Sequence, residues 1–114
     1  MSVKLNTRQV GNVSVMDVAG RITLGEGSAA LREALRDMVA KNQNKILLNL
    51  ADVTYIDSSG IGELVSGYTT VANTGGQLKL LNLNKRVKDL LQITKLYTVF
   101  EVKEDEAEAI RSFA

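Results

Sequence analysis

The apolar run Ile46-Leu47-Leu48-Asn49-Leu50 is soon followed by a stretch with helical period, and this pair constrains the fold more than any other feature of the chain. A nearly continuous run of that length suits a strand buried on both faces, as in a parallel sheet covered by helices. Ala51 to Ile56 leads out of the run. Ile61, Leu64, Val65, Tyr68 and Ala72 then recur at three- and four-residue spacing, which gives a helix one apolar side.

The junction between the two reads Tyr55-Ile56-Asp57-Ser58-Ser59-Gly60-Ile61-Gly62. Ser58 falls at or beside the N-cap of the helix, where a hydroxyl can accept a hydrogen bond from a free backbone N–H. Aligned peptide dipoles there also tolerate added negative charge such as phosphate. Taken alone, Asp-Ser-Ser-Gly is what helix capping selects. The glycines add something: Gly60, Gly62 and Gly67 lie within or just before the helix, each at a cost of up to ~1 kcal/mol relative to alanine. Either the helix packs closely on the sheet, or the missing side chains leave the first turn open to another protein.

Around this centre the chain alternates. Val3 to Thr7 and Val13 to Ala19 read as strands joined by a hairpin turn at Gly11-Asn12. The glycine-rich segment Gly20 to Gly27 reads as a loop, after which Ser28 caps a helix with Leu31, Ala34, Leu35, Met38 and Val39 on one face. That loop lacks the G-x-G-x-x-G spacing of a dinucleotide site. Gly75-Gly76 follows the central helix, Gln77 to Leu83 resumes as a strand, and Asn84 caps a helix bearing Val87, Leu90 and Leu91. Tyr97 to Val102 is β-rich. Glu104 to Phe113 closes as a short helix with Ala107 and Ile110 inward, its first-turn acids complementing the dipole. The order predicts an α/β fold, with a mixed sheet of about five strands, parallel at its centre, and helices packed against it. The Ser58 helix then starts at the carboxyl end of a central strand, the usual edge for sites in such sheets.

Composition narrows the chemistry. Residues 1–114 fit one domain, able to bury about two thirds of its unfolded surface. Fourteen Lys and Arg against 13 Asp and Glu leave a net charge of +1, no footprint for nucleic acid or an anionic membrane surface. The apolar runs fall short of the ~20 residues of a membrane span, and no signal-peptide segment opens the chain, so a cytoplasmic protein is expected. Cysteine and histidine are both absent. That removes a Ser-His-Asp hydrolase, a thiol enzyme and a conventional zinc site, and no P-loop pattern occurs. No metal or cofactor is expected. A serine nucleophile at Ser58 or Ser59 would need lysine or a carboxylate as base, and Asp57 is more simply a capping group.

The segment Asp57-Ser58-Ser59-Gly60-Ile61-Gly62 after Val53-Thr54-Tyr55-Ile56, the order of elements, and Leu78-Lys79-Leu80-Leu81-Asn82-Leu83 further on together resemble the STAS-domain family. Within that family the chain is similar to the single-domain anti-sigma factor antagonists of bacteria, and the likeness covers essentially its whole length. The resemblance implies a non-enzymatic switch. Unphosphorylated, such a protein binds an anti-sigma factor that is also a serine kinase, of the histidine-kinase-like ATPase type, and frees the sigma factor. Phosphorylation ends the binding, and a PP2C-type phosphatase restores it. The family's phosphoacceptor matches Ser58. Asp57, Ser59, Gly60, Ile61 and Gly62 match its partner-binding segment, and Thr23 stands near where many members carry an acidic partner contact. The same fold also occurs as an unphosphorylated scaffold or transport-complex subunit, the rival reading for this chain.

Overall fold

The computed structural model describes residues 3–113. Strands β1 (Val3–Val10) and β2 (Val13–Ile22) form an antiparallel hairpin, with Gly11 at a φ of 62° in its two-residue turn. There follow helix α1 (Glu26–Ala40), strand β3 (Lys45–Ile56), helix α2 (Ser58–Asn73), strand β4 (Gln77–Leu81) and helix α3 (Lys85–Ile93). A 3-10 turn (Leu96–Thr98), the two-residue strand β5 (Val102–Lys103) and helix α4 (Glu106–Arg111) complete the described chain. The sheet runs in the order β1-β2-β3-β4-β5, antiparallel in its first pair and parallel in the other three. This is the mixed α/β sheet that the alternation predicts.

The apolar run explains why β3 is central. Ile46 and Leu48 enter the main core with α1, α2 and α3, while Leu47 points the other way and joins Val13, Val15, Leu81, Ala109 and Phe113 under α4. The polar residue in the run, Asn49, is half-buried on the face of the sheet that Leu47 shares. There its amide donates to Asp17 Oδ1 at 2.8 Å. Arg8 forks across the same face to Asp17 and Glu106, which holds both carboxyls below their ordinary range and pins α4 to the hairpin.

Several local expectations are corrected. The Gly20–Gly27 loop shrinks to 23–25, because β2 continues to Ile22 along β3 and α1 starts at Glu26. Ser28 is therefore not a cap. It sits buried in the first turn, and both its backbone N–H and its hydroxyl donate to the Thr23 carbonyl. Val71, not Ala72, completes the inner face of α2. Strand β4 ends at Leu81. The β-rich Tyr97 to Val102 segment opens in the 3-10 turn and runs on irregularly through residues 99–101, with pairing to β4 only at Val102 and the following Lys103. In α4 Ala109 is the fully inward residue, with Ile110 packed against the same cluster as expected and Phe113 beyond; Ala107 is exposed.

Candidate functional site

The cap of α2 is Asp57, with Ser58 beside it. Strand β3 runs out at Ile56, and the Asp57 N–H donates to the Ile22 carbonyl at the end of β2, a contact that sets where the helix begins. With that register Asp57 takes the extended backbone of an N-cap, and its Oδ1 accepts the Gly60 N–H at 2.9 Å. Its other oxygen accepts the Leu24 N–H at 3.1 Å, so one carboxylate ties the β2–α1 loop to the first turn of α2. These backbone donors, Gly60 first, hold the Asp57 carboxyl below the ordinary aspartate range.

The remaining motif residues divide by side. Ser58 is the first helical residue and is exposed; among the described residues its hydroxyl has no hydrogen-bond partner. Ser59 is half-buried. Gly60 lies against the end of β2, where an added Cβ would fall 2.3 Å from the Ile22 carbonyl oxygen and 2.6 Å from Ile56 Cγ1. Ile61 is part of the main core, and Gly67 is pressed against Leu35, where a Cβ would come within 2.5 Å of Cδ1. Gly62 differs. It is exposed, and a Cβ there would meet nothing within 4 Å. Both explanations offered for the glycines thus apply, at different positions: close packing at Gly60 and Gly67, an open surface at Gly62.

Thr23 is brought beside the motif by the Asp57–Leu24 bond, its carbonyl facing Ser28. The neighbouring Leu24 is 80% exposed, an apolar side chain held in solvent next to Ser58's helix. Sequence reasoning missed it, although a lone leucine inside a glycine-rich turn is itself a signal. It also missed the clip between helices beside Gly62, where Arg32 on α1 forks to both carboxylate oxygens of Glu63 on α2. The surface so assembled is an exposed hydroxyl at a helix start, an open glycine and a tethered loop. Among the described residues no cluster of acidic side chains could hold a metal ion there or elsewhere.

The Asp57 tether has a pH dependence of definite sign. A carboxyl whose folded pKa is depressed stabilises the fold above its unfolded value, about 3.9, and loses that contribution as pH falls through the lower folded value. In an NMR titration the Asp57 carboxyl should therefore show a midpoint below that of an unstructured aspartate. The Leu24 and Gly60 amide shifts should follow the same curve. A midpoint at or above the ordinary value would mean that the carboxylate does not hold both amides.

Residues 4–109 match the STAS domain family. The chain is 31% identical over 102 residues to the anti-sigma-B factor antagonist of Bacillus subtilis, an alignment covering 90% of this chain and 92% of that protein. Its fold is similar to that of an anti-sigma factor antagonist from Mycobacterium paratuberculosis, with a TM-score of 0.84 at 19% identity, covering 98% of this chain and 94% of the other. It is likewise similar to the phosphorylated form of the Bacillus cell fate determinant SpoIIAA, with a TM-score of 0.75 at 19% identity over 96% of this chain and 98% of that one. With the five-stranded mixed sheet and the capped Asp-Ser-Ser-Gly helix start, these likenesses lead to one conclusion: the chain belongs to the STAS domain family and, within it, to the anti-sigma factor antagonists.

Proposed function

We propose that this protein is a phosphorylation-controlled, non-enzymatic switch. Unphosphorylated, it binds an anti-sigma factor that is also a serine kinase of the histidine-kinase-like ATPase type, and the sigma factor is freed. Phosphorylation of Ser58 ends that binding, and a PP2C-type phosphatase resets the cycle in the cytoplasm. The observation that carries this reading is the exposed Ser58 hydroxyl, relieved of capping by Asp57 and left without a protein partner among the described residues. A serine present only for helix stability would be expected to cap. A phosphorylated form of the similar SpoIIAA supports the same chemistry.

In this reading Ser58, Ser59 and Gly62 meet the partner directly, together with the loop carrying Thr23. Asp57, Gly60 and Ile61 act from beneath, fixing the helix start against β2. Among the described residues no helix is long and apolar enough to cross a membrane, in keeping with a partner met in solution. Incubation with the cognate anti-sigma factor kinase, ATP and magnesium should phosphorylate the wild type and Ser59→Ala but leave Ser58→Ala unmodified. Phosphate mapped to Ser59 in the wild type would transfer the role to its neighbour. No phosphate on any serine, from a kinase that modifies its known substrate, would favour the scaffold reading.

A further inference from the structure

Strand β5 is a free edge of the sheet, and a cleft opens on each side of it. The Leu80 and Asn82 N–H groups donate to the carbonyls of Glu101 and Lys103, so those two residues face β4. Val102, between them, turns its own N–H and carbonyl to the outer edge, where neither has a hydrogen-bond partner among the described residues. On the α3 face, where the Val102 side chain packs, Leu83, Leu91 and Tyr97 line a cleft of about 400 Å³, and Tyr97 is 55% exposed. On the α4 face, Lys103, Glu104, Asp105 and Glu108 line another of about 460 Å³. Lys103 already pairs with Glu101 at 3.3 Å and Glu108 at 3.9 Å, so this second cleft is acidic on balance.

We propose that this edge binds an extended peptide segment of a protein partner in which an apolar residue stands between two basic ones. In antiparallel addition, one peptide residue exchanges both main-chain hydrogen bonds with Val102. Residues directly opposite share a face, so its side chain enters the apolar cleft beside Val102. Its two neighbours point to the other face, where basic side chains meet Glu104, Asp105 and Glu108. The two-residue strand offers a single such exchange, too little to hold a bare strand, which is how a short edge avoids indiscriminate pairing. Affinity therefore depends on filling both clefts, and the alternation of faces sets the sequence that fills them. The chain's own triplet of this kind, Arg86-Val87-Lys88, is committed to α3 with Val87 buried, so the occupant comes from another protein. Lys88 and Glu104, 3.4 Å apart and both exposed, link the two clefts; such pairs contribute little, and a basic residue of the peptide can take Glu104 over. The site uses no residue of the Ser58 surface.

The test is an NMR titration of the labelled protein with the capped peptide Thr-Lys-Ile-Lys-Thr. The Val102 amide should shift saturably and gain protection from hydrogen exchange. The same peptide methylated on its isoleucine nitrogen lacks the main-chain donor and should bind about tenfold more weakly or worse. Lys-Thr-Ile-Thr-Lys, with equal composition but its lysines on the apolar face, should lose about fivefold. Glu104→Gln/Glu108→Gln should weaken binding of the first peptide by about fivefold at low salt, with a melting temperature within a few degrees of wild type, since both residues are exposed. Absence of a saturable shift, or affinity indifferent to both the methyl group and the lysine positions, would overturn the proposal. A Val102 amide that shifts with protein concentration alone would also overturn it, giving the edge to a second copy of the chain.

Discussion

Gly60→Ala should lower the melting temperature sharply, while Gly62→Ala, two residues further along the same helix, should raise it slightly. Helix propensity treats the two alike, favouring alanine by about 0.8–1 kcal/mol at each position. The surroundings do not. At position 60 the new methyl would lie 2.3 Å from the Ile22 carbonyl oxygen, a backbone atom that already accepts the Asp57 N–H and cannot turn aside. Relief requires α2 to lift from the end of β2, at a cost of about 1–3 kcal/mol or more, which outweighs the propensity gain. The same shift would strain the bond from Asp57 to Leu24 and loosen the loop that carries Thr23. At position 62 the methyl meets nothing, so only the propensity gain remains. Thermal unfolding of the two variants beside the wild type checks the contrast. Equal destabilisation of both would show that the outer side of the first turn is more crowded than the described contacts allow.

Phosphorylation of Ser58 should leave the fold almost unchanged and still weaken partner binding at least tenfold. Ser58 is exposed at the first position of α2, where added negative charge is favourable by about 0.3–1 kcal/mol. Asp57, its acidic neighbour, already has its two oxygens engaged by the Gly60 and Leu24 amides, which moderates the repulsion within the protein. At a protein interface the balance reverses. A charge buried without a matching cation costs about 2–5 kcal/mol, equivalent to roughly thirty- to several-thousand-fold in affinity. The interfacial effect is the larger, so the switch acts where the partner docks. Circular dichroism and the melting temperature of the phosphorylated protein should stay within a few degrees of the unmodified values. A collapse of either would place the switch in the fold itself.

Where local pattern carried the information, the sequence was readable. Ile46 to Leu50 marks the central strand because burial on both faces leaves no room for alternation, and Asn84 caps α3 as expected, accepting the Val87 N–H. At the start of α2 the reading of Ser58 as at or beside the cap held: Asp57 and Ser58 are equally good capping residues, and the structure makes Asp57 the cap, its N–H on the Ile22 carbonyl, with Ser58 beside it. The errors arise where a distant contact decides a local choice. Ser28 lost its expected cap because pairing with β3 carries β2 to Ile22 and moves the start of α1 forward. The Tyr97 to Val102 stretch has strand composition, yet of its residues β4 pairs only with Val102; Tyr97 and Thr98 belong to a 3-10 helix and residues 99–101 are irregular. Ser58 could be read from the sequence as a candidate. The tether from Asp57 to Leu24, and with it the exposed Leu24 beside the motif, could not, because it joins residues from separate elements.

The most direct test of the switch is the affinity of one protein preparation for its anti-sigma factor kinase, measured by titration before and after stoichiometric phosphorylation mapped to Ser58. The account predicts tight binding before modification, a loss of at least tenfold after it, and recovery when a PP2C-type phosphatase removes the group. Unchanged affinity with Ser58 fully phosphorylated would contradict it.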